Sequence, residues 1–227
     1  PPTISRRQRQ MCIRDRPSVT AANFKGGYLA GQYLAAAGHK RIAHISGWQK
    51  ALNGRQRQEG FIAALADAGM KPLACVDCHF RREMAIEATQ SLYQQAEKPD
   101  AIFVGNDFMA FGVIETLQQE MGLKIPDDVS VIGYDDVEMA GWKVYDLTTI
   151  RQPIDRMVMA TVELLLDLIE GTTDRPIRVE IDSELIIRGS TARPASRGTP
   201  ETTRNFHQHE RDTVSYTHLR AHETYDH

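Results

Sequence analysis

Short apolar runs alternate with longer amphipathic segments along most of this chain, and no other feature constrains the fold as tightly. Residues 41–46 (RIAHIS), 73–76, 101–104, 129–133, 147–150 and 179–187 read as short strands. Between them lie helical patterns. Residues 26–37 are small and apolar, closely packed on a sheet and stopped by Gly38. A second helix starts at Asn53, places Phe61, Ala64 and Leu65 on one face and ends near Gly69. A third spans 83–95 with Ala85, Ala88 and Leu92 inward, and a fourth runs from Asn106-Asp107 through Leu117 to Met121. Pro153 opens a fifth, through Leu164, Leu165 and Ile169 to Gly171. Short strands alternating with helices of this kind predict an α/β fold, a parallel sheet covered on both faces.

In such sheets ligands sit beyond the carboxyl ends of the strands. Those ends carry polar groups here: Ser46-Gly47-Trp48, Gly105-Asn106-Asp107 and Tyr134-Asp135-Asp136. Together they outline a candidate cleft.

The two ends of the chain do not share the pattern. Residues 1–16 hold Arg6-Arg7-Gln8-Arg9 and then Met11-Cys12-Ile13-Arg14-Asp15-Arg16, while 195–227 scatter His207, His209, His218, His222 and His227 among charges. Neither end has a helical or strand period, so both read as disordered. A basic arm for DNA and a His-rich tail for metal are the functional alternatives. A simpler reading lies in the codons. ATGTGTATAAGAGACAG encodes Met11 to Arg16, and its reverse complement encodes Val214-Ser215-Tyr216-Thr217-His218 after the end of a Thr codon, where Thr213 stands. That complementarity is expected of translated transposase-type sequencing adapter, so 1–16 and most of 195–227 are set aside as non-native.

Composition narrows the function classes. Apolar content of 41% and charged content of 25% are those of a globular domain, and a net charge of −3 gives no nucleic-acid-binding surface. No stretch reaches the roughly 20 apolar residues of a membrane span, and no signal peptide opens the chain. Three cysteines make no disulfide framework, so a cytoplasmic location is the default.

Several patterns imitate chemistry. Cys75-Val76-Asp77-Cys78-His79 matches the C-x-x-C-H of haem attachment, or half of a zinc or redox site. Residues three apart on a strand face opposite ways, which argues against joint chelation. Asp135-Asp136 resembles a hydrolytic acid pair, but adjacent residues leaving a strand diverge; one ligand-binding acid and one helix cap is the plainer expectation. Asp107 is expected to cap its helix and leave Asn106 facing the cleft. Gly26, Gly27 and Gly31 fit neither the dinucleotide nor the P-loop spacing, and read as helix packing. No G-x-S-x-G nucleophile motif is present.

The remaining motifs resemble one family. Ala22-Asn23-Phe24-Lys25-Gly26-Gly27 with Arg41-Ile42-Ala43, then Arg57-Gln58-Glu59-Gly60-Phe61, Pro99-Asp100-Ala101-Ile102-Phe103 with Asn106-Asp107-Phe108-Met109-Ala110, the line Ile125 through Asp136, Leu147 through Pro153, and Arg188-Gly189-Ser190-Thr191 follow in order at the right spacings. Residues 17–194 thus resemble the lactose-repressor-type bacterial transcription regulators. The resemblance implies a periplasmic-binding-protein-like fold of two lobes joined by three crossovers, with an effector between them. It maps 38–153 and 182–194 to a complete C-terminal lobe, and 17–37 and 154–181 to remnants of an incomplete N-terminal lobe.

By motif position the resemblance implies that Arg57 and Asp135 bind the effector, that the Phe80 ring stacks on it, and that Asn53, Asn106 and Gln152 supply polar contacts. Arg and Asp can bracket a sugar or a purine with charge-assisted hydrogen bonds. Ala22 stands where the family commonly has Asp, and Cys78-His79 where it commonly has Gly-Asp. The implied partners are a small-molecule effector, a second subunit in a homodimer, and operator DNA through a helix-turn-helix outside this chain. No membrane contact, cofactor, metal or catalytic residue is expected. The alternatives are a periplasmic solute-binding protein of the same fold, and an enzyme or haem protein built on Asp135-Asp136 or Cys75–His79.

Overall fold

The structure is a computed structural model that describes residues 17–171 and 177–194. The readings of 1–16 and 195–227 lie outside the described residues. Among the described residues eight strands and five α-helices follow one another in the order β1 (Ser18–Ala21), α1 (Asn23–Ala36), β2 (Ile42–Ser46), α2 (Leu52–Asp67), β3 (Ala74–Asp77), α3 (Arg82–Gln94), β4 (Ala101–Val104), α4 (Asp107–Glu115), β5 (Ser130–Asp135), β6 (Thr148–Arg151), α5 (Ile154–Ile169), β7 (Arg178–Ile181) and β8 (Glu184–Ile186). A π-turn at Thr116–Glu120 extends α4, and a 3-10 turn at Glu138–Gly141 follows β5.

Six strands form one sheet in the order β3-β2-β4-β5-β6-β8. Its strands alternate their side chains between two cores. Ala43, Ile45, Ile102, Val104 and Val131 face α3 and α4, where Ala85, Leu92, Met109 and Ile114 meet them. Ile42, Phe103, Ile132, Tyr134 and Ile150 face the other way, against Leu34, Phe61 and Leu65. Both faces are therefore covered, as the apolar runs require.

Two expectations need correction. The sheet is mixed, because β8 pairs antiparallel with β6 at the edge. The single strand expected over 179–187 is two strands broken at Asp182-Ser183: β7 pairs with β1 in a separate two-stranded sheet, and β8 joins the large one. The glycine-rich helix α1 packs on the sheet as expected, with Leu34 among Ile42, Phe103 and Ile132 and Gly26 against the Tyr134 ring, and it also packs closely on α2. A Cβ on Gly27 would overlap the Arg57 carbonyl oxygen, and one on Gly60 the Phe24 carbonyl oxygen, so the two backbones touch only because neither residue has a side chain.

The strand order reverses between β2 and β4, since β3 lies on one side of β2 and the later strands lie on the other. That switch point opens a crevice at the carboxyl ends of β2 and β4. There Gly47 and Gly105 approach closely enough that a Cβ on Gly105 would lie 2.6 Å from the Gly47 amide nitrogen.

Candidate functional site

Arg57 is the centre of the crevice. It lies in the second turn of α2 and is 3% exposed. Its Nε donates to Asn23 Oδ1 at 3.0 Å and its Nη1 donates to the Gly105 carbonyl at 2.6 Å. Nη1 also stands 3.5 Å from Asp135 Oδ1. The guanidinium lies 3.5 Å over the Tyr134 ring, itself fully buried, and 5.9 Å from the centre of the Phe80 ring. A buried cation is costly unless it is paired and hydrogen-bonded, and every one of these contacts repays part of that cost.

Asp135 ends β5 with its carboxylate partly open. Oδ1 also accepts from Gln152 Nε2 at 2.6 Å, from the segment that leads out of β6. Burial lowers the pKa of Arg57 and raises that of Asp135, and their mutual attraction offsets part of each shift. The pair therefore has an unmet demand for polar partners, which hydroxyl or amide groups of a ligand can supply.

The backbone around the pair is strained. His79, Phe80, Asp135 and Asp136 all have positive φ, at 52°, 60°, 123° and 59°. Non-glycine residues in that region cost about 1–3 kcal/mol each and gather at ligand sites. The turn at His79-Phe80 folds the Phe80 ring over Gly47, where a Cβ would overlap it. Trp48 lies exposed on the loop that follows β2, and Phe108 is exposed in the first turn of α4.

Of the six residues expected to bind ligand, the structure joins Arg57, Asp135 and Gln152 by direct contact and sets Phe80 beside them. Asn53 stands one turn before Arg57 on α2, half-buried, with its Oδ1 accepting from the Gly54 amide at 2.9 Å. Asn106 differs from expectation. It is the N-cap of α4, with Oδ1 accepting from the Met109 amide at 2.9 Å. Asp107, expected as that cap, is instead fully buried beneath the site. Asp136 is no helix cap either. Arg151 Nε and Arg188 Nη2 both donate to it at 2.6 Å. Its partners are distant in sequence, so no local pattern reveals them. Tyr134 was read as part of the cleft and Asn23 as part of a motif, but neither was assigned to hold Arg57, as both do here.

The two cysteines of the C-x-x-C-H motif lie in different environments. Cys75 is exposed on β3, whereas Cys78 is buried beyond it with its thiol donating to the Met84 carbonyl. Burial pushes the thiols up to about 11 and about 12. Among the described residues no three His, Cys, Asp or Glu side chains gather to hold a metal, and no helix is long and apolar enough to cross a membrane.

The family profile described as a periplasmic binding protein-like domain matches residues 32–191. The HTH-type transcriptional repressor PurR of Edwardsiella ictaluri is 40% identical over 171 residues, which cover 74% of this chain and 50% of that protein. The chain belongs to the lactose-repressor-type regulator family, in its periplasmic-binding-protein-like domain. The chain spans about half the length of the curated relatives it matches. Among solved structures, the transcriptional regulator CelR–cellobiose complex is 33% identical with a TM-score of 0.73, over 78% of this chain and 54% of that one. A LacI family regulator from Enterococcus faecium with bound ribose is also 33% identical, with a TM-score of 0.70, over 79% and 66%.

Proposed function

We propose that this chain is the effector-sensing part of a cytoplasmic transcription regulator, and that it binds a sugar or purine-like molecule through Arg57 and Asp135. The observation that carries this reading is the buried Arg57–Asp135 pair at the switch point, backed by strained backbone on two sides. Cellobiose and ribose in the two structural relatives favour a sugar. Phe80 offers a ring face for the sugar's C–H surface, and Asn53, Asn106 and Gln152 stand where further polar contacts are needed. The relatives are repressors, which favours sensing over catalysis and over periplasmic transport.

The pair touches two of the three chain crossings between the sheets, and its neighbour Tyr134 touches the third. Arg57 binds Asn23 after β1, Asp135 binds Gln152 before α5, and Tyr134 reaches Ser183 between β7 and β8 at 3.5 Å. On this reading β1, α5 and β7 belong to a second lobe, and ligand closing on the pair moves that lobe. The homodimer and operator DNA belong to the full-length regulator.

Titration calorimetry of the full-length gene product against ribose, cellobiose and purine bases tests the site. Asp135→Ala removes one partner of a charged contact, which costs about 2–5 kcal/mol, or at least about a 30-fold loss of affinity. Operator binding is expected to persist while the effector response is lost. Effector binding unchanged by both Arg57→Ala and Asp135→Ala would overturn the assignment.

A further inference from the structure

We propose that Asp107 is a positioning residue for the ligand acid Asp135, holding the Asp135–Val137 turn in place from beneath. The inference rests on the reading above, that Asp135 contacts the effector.

The turn needs an external hold. Asp135 and Asp136 both have positive φ, which a free chain would relax within a few bond rotations. One hold is visible at the rim, where Arg151 and Arg188 grip the Asp136 carboxylate. The other is internal. Asp107 Oδ2 accepts from the Val137 amide at 3.0 Å, and Oδ1 accepts from Thr149 Oγ1 at 2.6 Å. Among the described residues the Val137 amide has no partner besides the Asp107 side chain, so the turn is fastened there by a side chain and not by a sheet ladder.

The surroundings leave room for that carboxylate. Gly133 lies on β5 beside it, and a Cβ there would overlap Asp107 Oδ1. Asp107 is 0% exposed, yet no salt bridge is formed with it among the described residues. A buried carboxylate without a cation in contact must be repaid by hydrogen bonds. Both donors belong to the walls of the site: Val137 to the turn itself, and Thr149 to β6, three residues before Gln152. The start of α4 adds favourable backbone dipoles. One carboxylate thus fixes α4, β6 and the turn relative to each other, and Asp135 and Gln152 are the side chains those elements present.

A merely structural acid would affect stability alone. The test therefore reads the turn and the ligand separately, in the full-length gene product. Hydrogen exchange at Val137 is measured in Asp107→Ala, in Asp107→Asn, and in Ile114→Val as a control for a buried loss on the same helix. Melting temperature is followed with ribose, cellobiose or adenine added. In Asp107→Ala the Val137 amide is expected to exchange about 10-fold faster or more than in the control, and affinity for the stabilising compound to fall about 10-fold. Asp107→Asn should restore both, because the amide oxygen can meet Val137 while the Thr149 hydroxyl turns to accept from the amide nitrogen. If Asp107→Ala does not fold, Asp107→Ser, too short to reach Val137, takes its place. Unchanged Val137 exchange, or faster exchange with unchanged affinity, overturns the proposal. A wild-type protein that none of the three compounds stabilises overturns the functional reading instead, and the positioning role with it.

Discussion

The six-stranded sheet and the α5–β1–β7 layer are written in the same residue code and end in opposite states. In the large sheet each apolar run finds a helix on both faces, and Ile102, Phe103 and Ile132 are fully buried. On α5, Leu164 is the one buried residue, while Val158, Met159, Val162, Leu165, Leu166 and Ile169 are each half or more exposed. Beneath it, β1 and β7 pair with each other and with no other described strand. The difference shows what periodicity does and does not specify. A stripe of apolar residues dictates a helix and its inward face, but stability comes from a second layer that buries the stripe.

The sharpest break of this comparison is a pair of truncations. Phe103→Ala removes a ring stacked 4.6 Å from His44 and tilted 5.4 Å from Phe61, all in the completed core. Its expected cost is about 3–5 kcal/mol. Leu165→Ala, on the open face of α5, is expected to change stability by less than about 0.5 kcal/mol. Urea denaturation of the two variants decides it, and equal costs would mean that α5 is packed in solution.

The same contrast separates what could be read in the sequence from what could not. The strands of the large sheet were legible because buried parallel strands are near-continuous apolar runs, and helix ends were legible from Gly38, Gly69 and Pro153. The break at Asp182-Ser183 was not, because the polar run Asp182-Ser183-Glu184 inside 179–187 does not say which sheet the residues on either side of it join. At the candidate site, Arg57 and Asp135 were named through their motifs, and the structure brings them within 3.5 Å of each other. The roles of Asn106 and Asp107 were exchanged, because both are cap-forming residue types and only the direction of the helix start distinguishes them. Asp136 was misread because its two arginines come from residues 15 and 52 positions away.

Hydrogen exchange sharpens the comparison at the level of backbone. Amides in 101–104 and 130–133 are expected to open only with the whole large sheet, while those of 154–169 open locally. A gap of at least about 2 kcal/mol in opening free energy, or about 30-fold in exchange, is expected. Protection in α5 equal to that in β4 would count against an unfinished layer.

Self-association is a smaller effect from the same cause. Large contiguous apolar patches promote association of soluble proteins. Leu166→Lys together with Val162→Glu should make this chain more monomeric in analytical ultracentrifugation, with folded stability nearly unchanged. No change in the sedimentation profile would mean that the exposed face of α5 is not what drives association.

The smallest expected effect is the pH response of the unaltered chain in the completed region, where two buried groups oppose one another. Burial raises Asp107 from 3.8 to about 6, and burial lowers His44 from 6.5 to about 4. For Asp107 the folded state holds its proton more tightly than the unfolded state, so its contribution is complete below pH 3.8 and is lost as pH rises to about 6. His44 has the reverse sign. It is stacked on Phe103, with Nε2 buried and unpartnered, and the unfolded state takes up its proton first. Its contribution is complete above pH 6.5 and is lost as pH falls to about 4. Each shift corresponds to about 3 kcal/mol, so between pH 4 and 6 their sum should vary by less than about 1 kcal/mol. Asp107→Asn removes one side of that balance. The difference in unfolding free energy between this variant and the parent, followed by urea denaturation, should then change by about 3 kcal/mol across the window, with the variant gaining relative stability as pH rises. Taking the difference cancels Asp135 and His39, which titrate in both proteins. A flat difference curve would show that Asp107 keeps an ordinary carboxylate pKa, and that the floor of the site is wet rather than part of the sealed core.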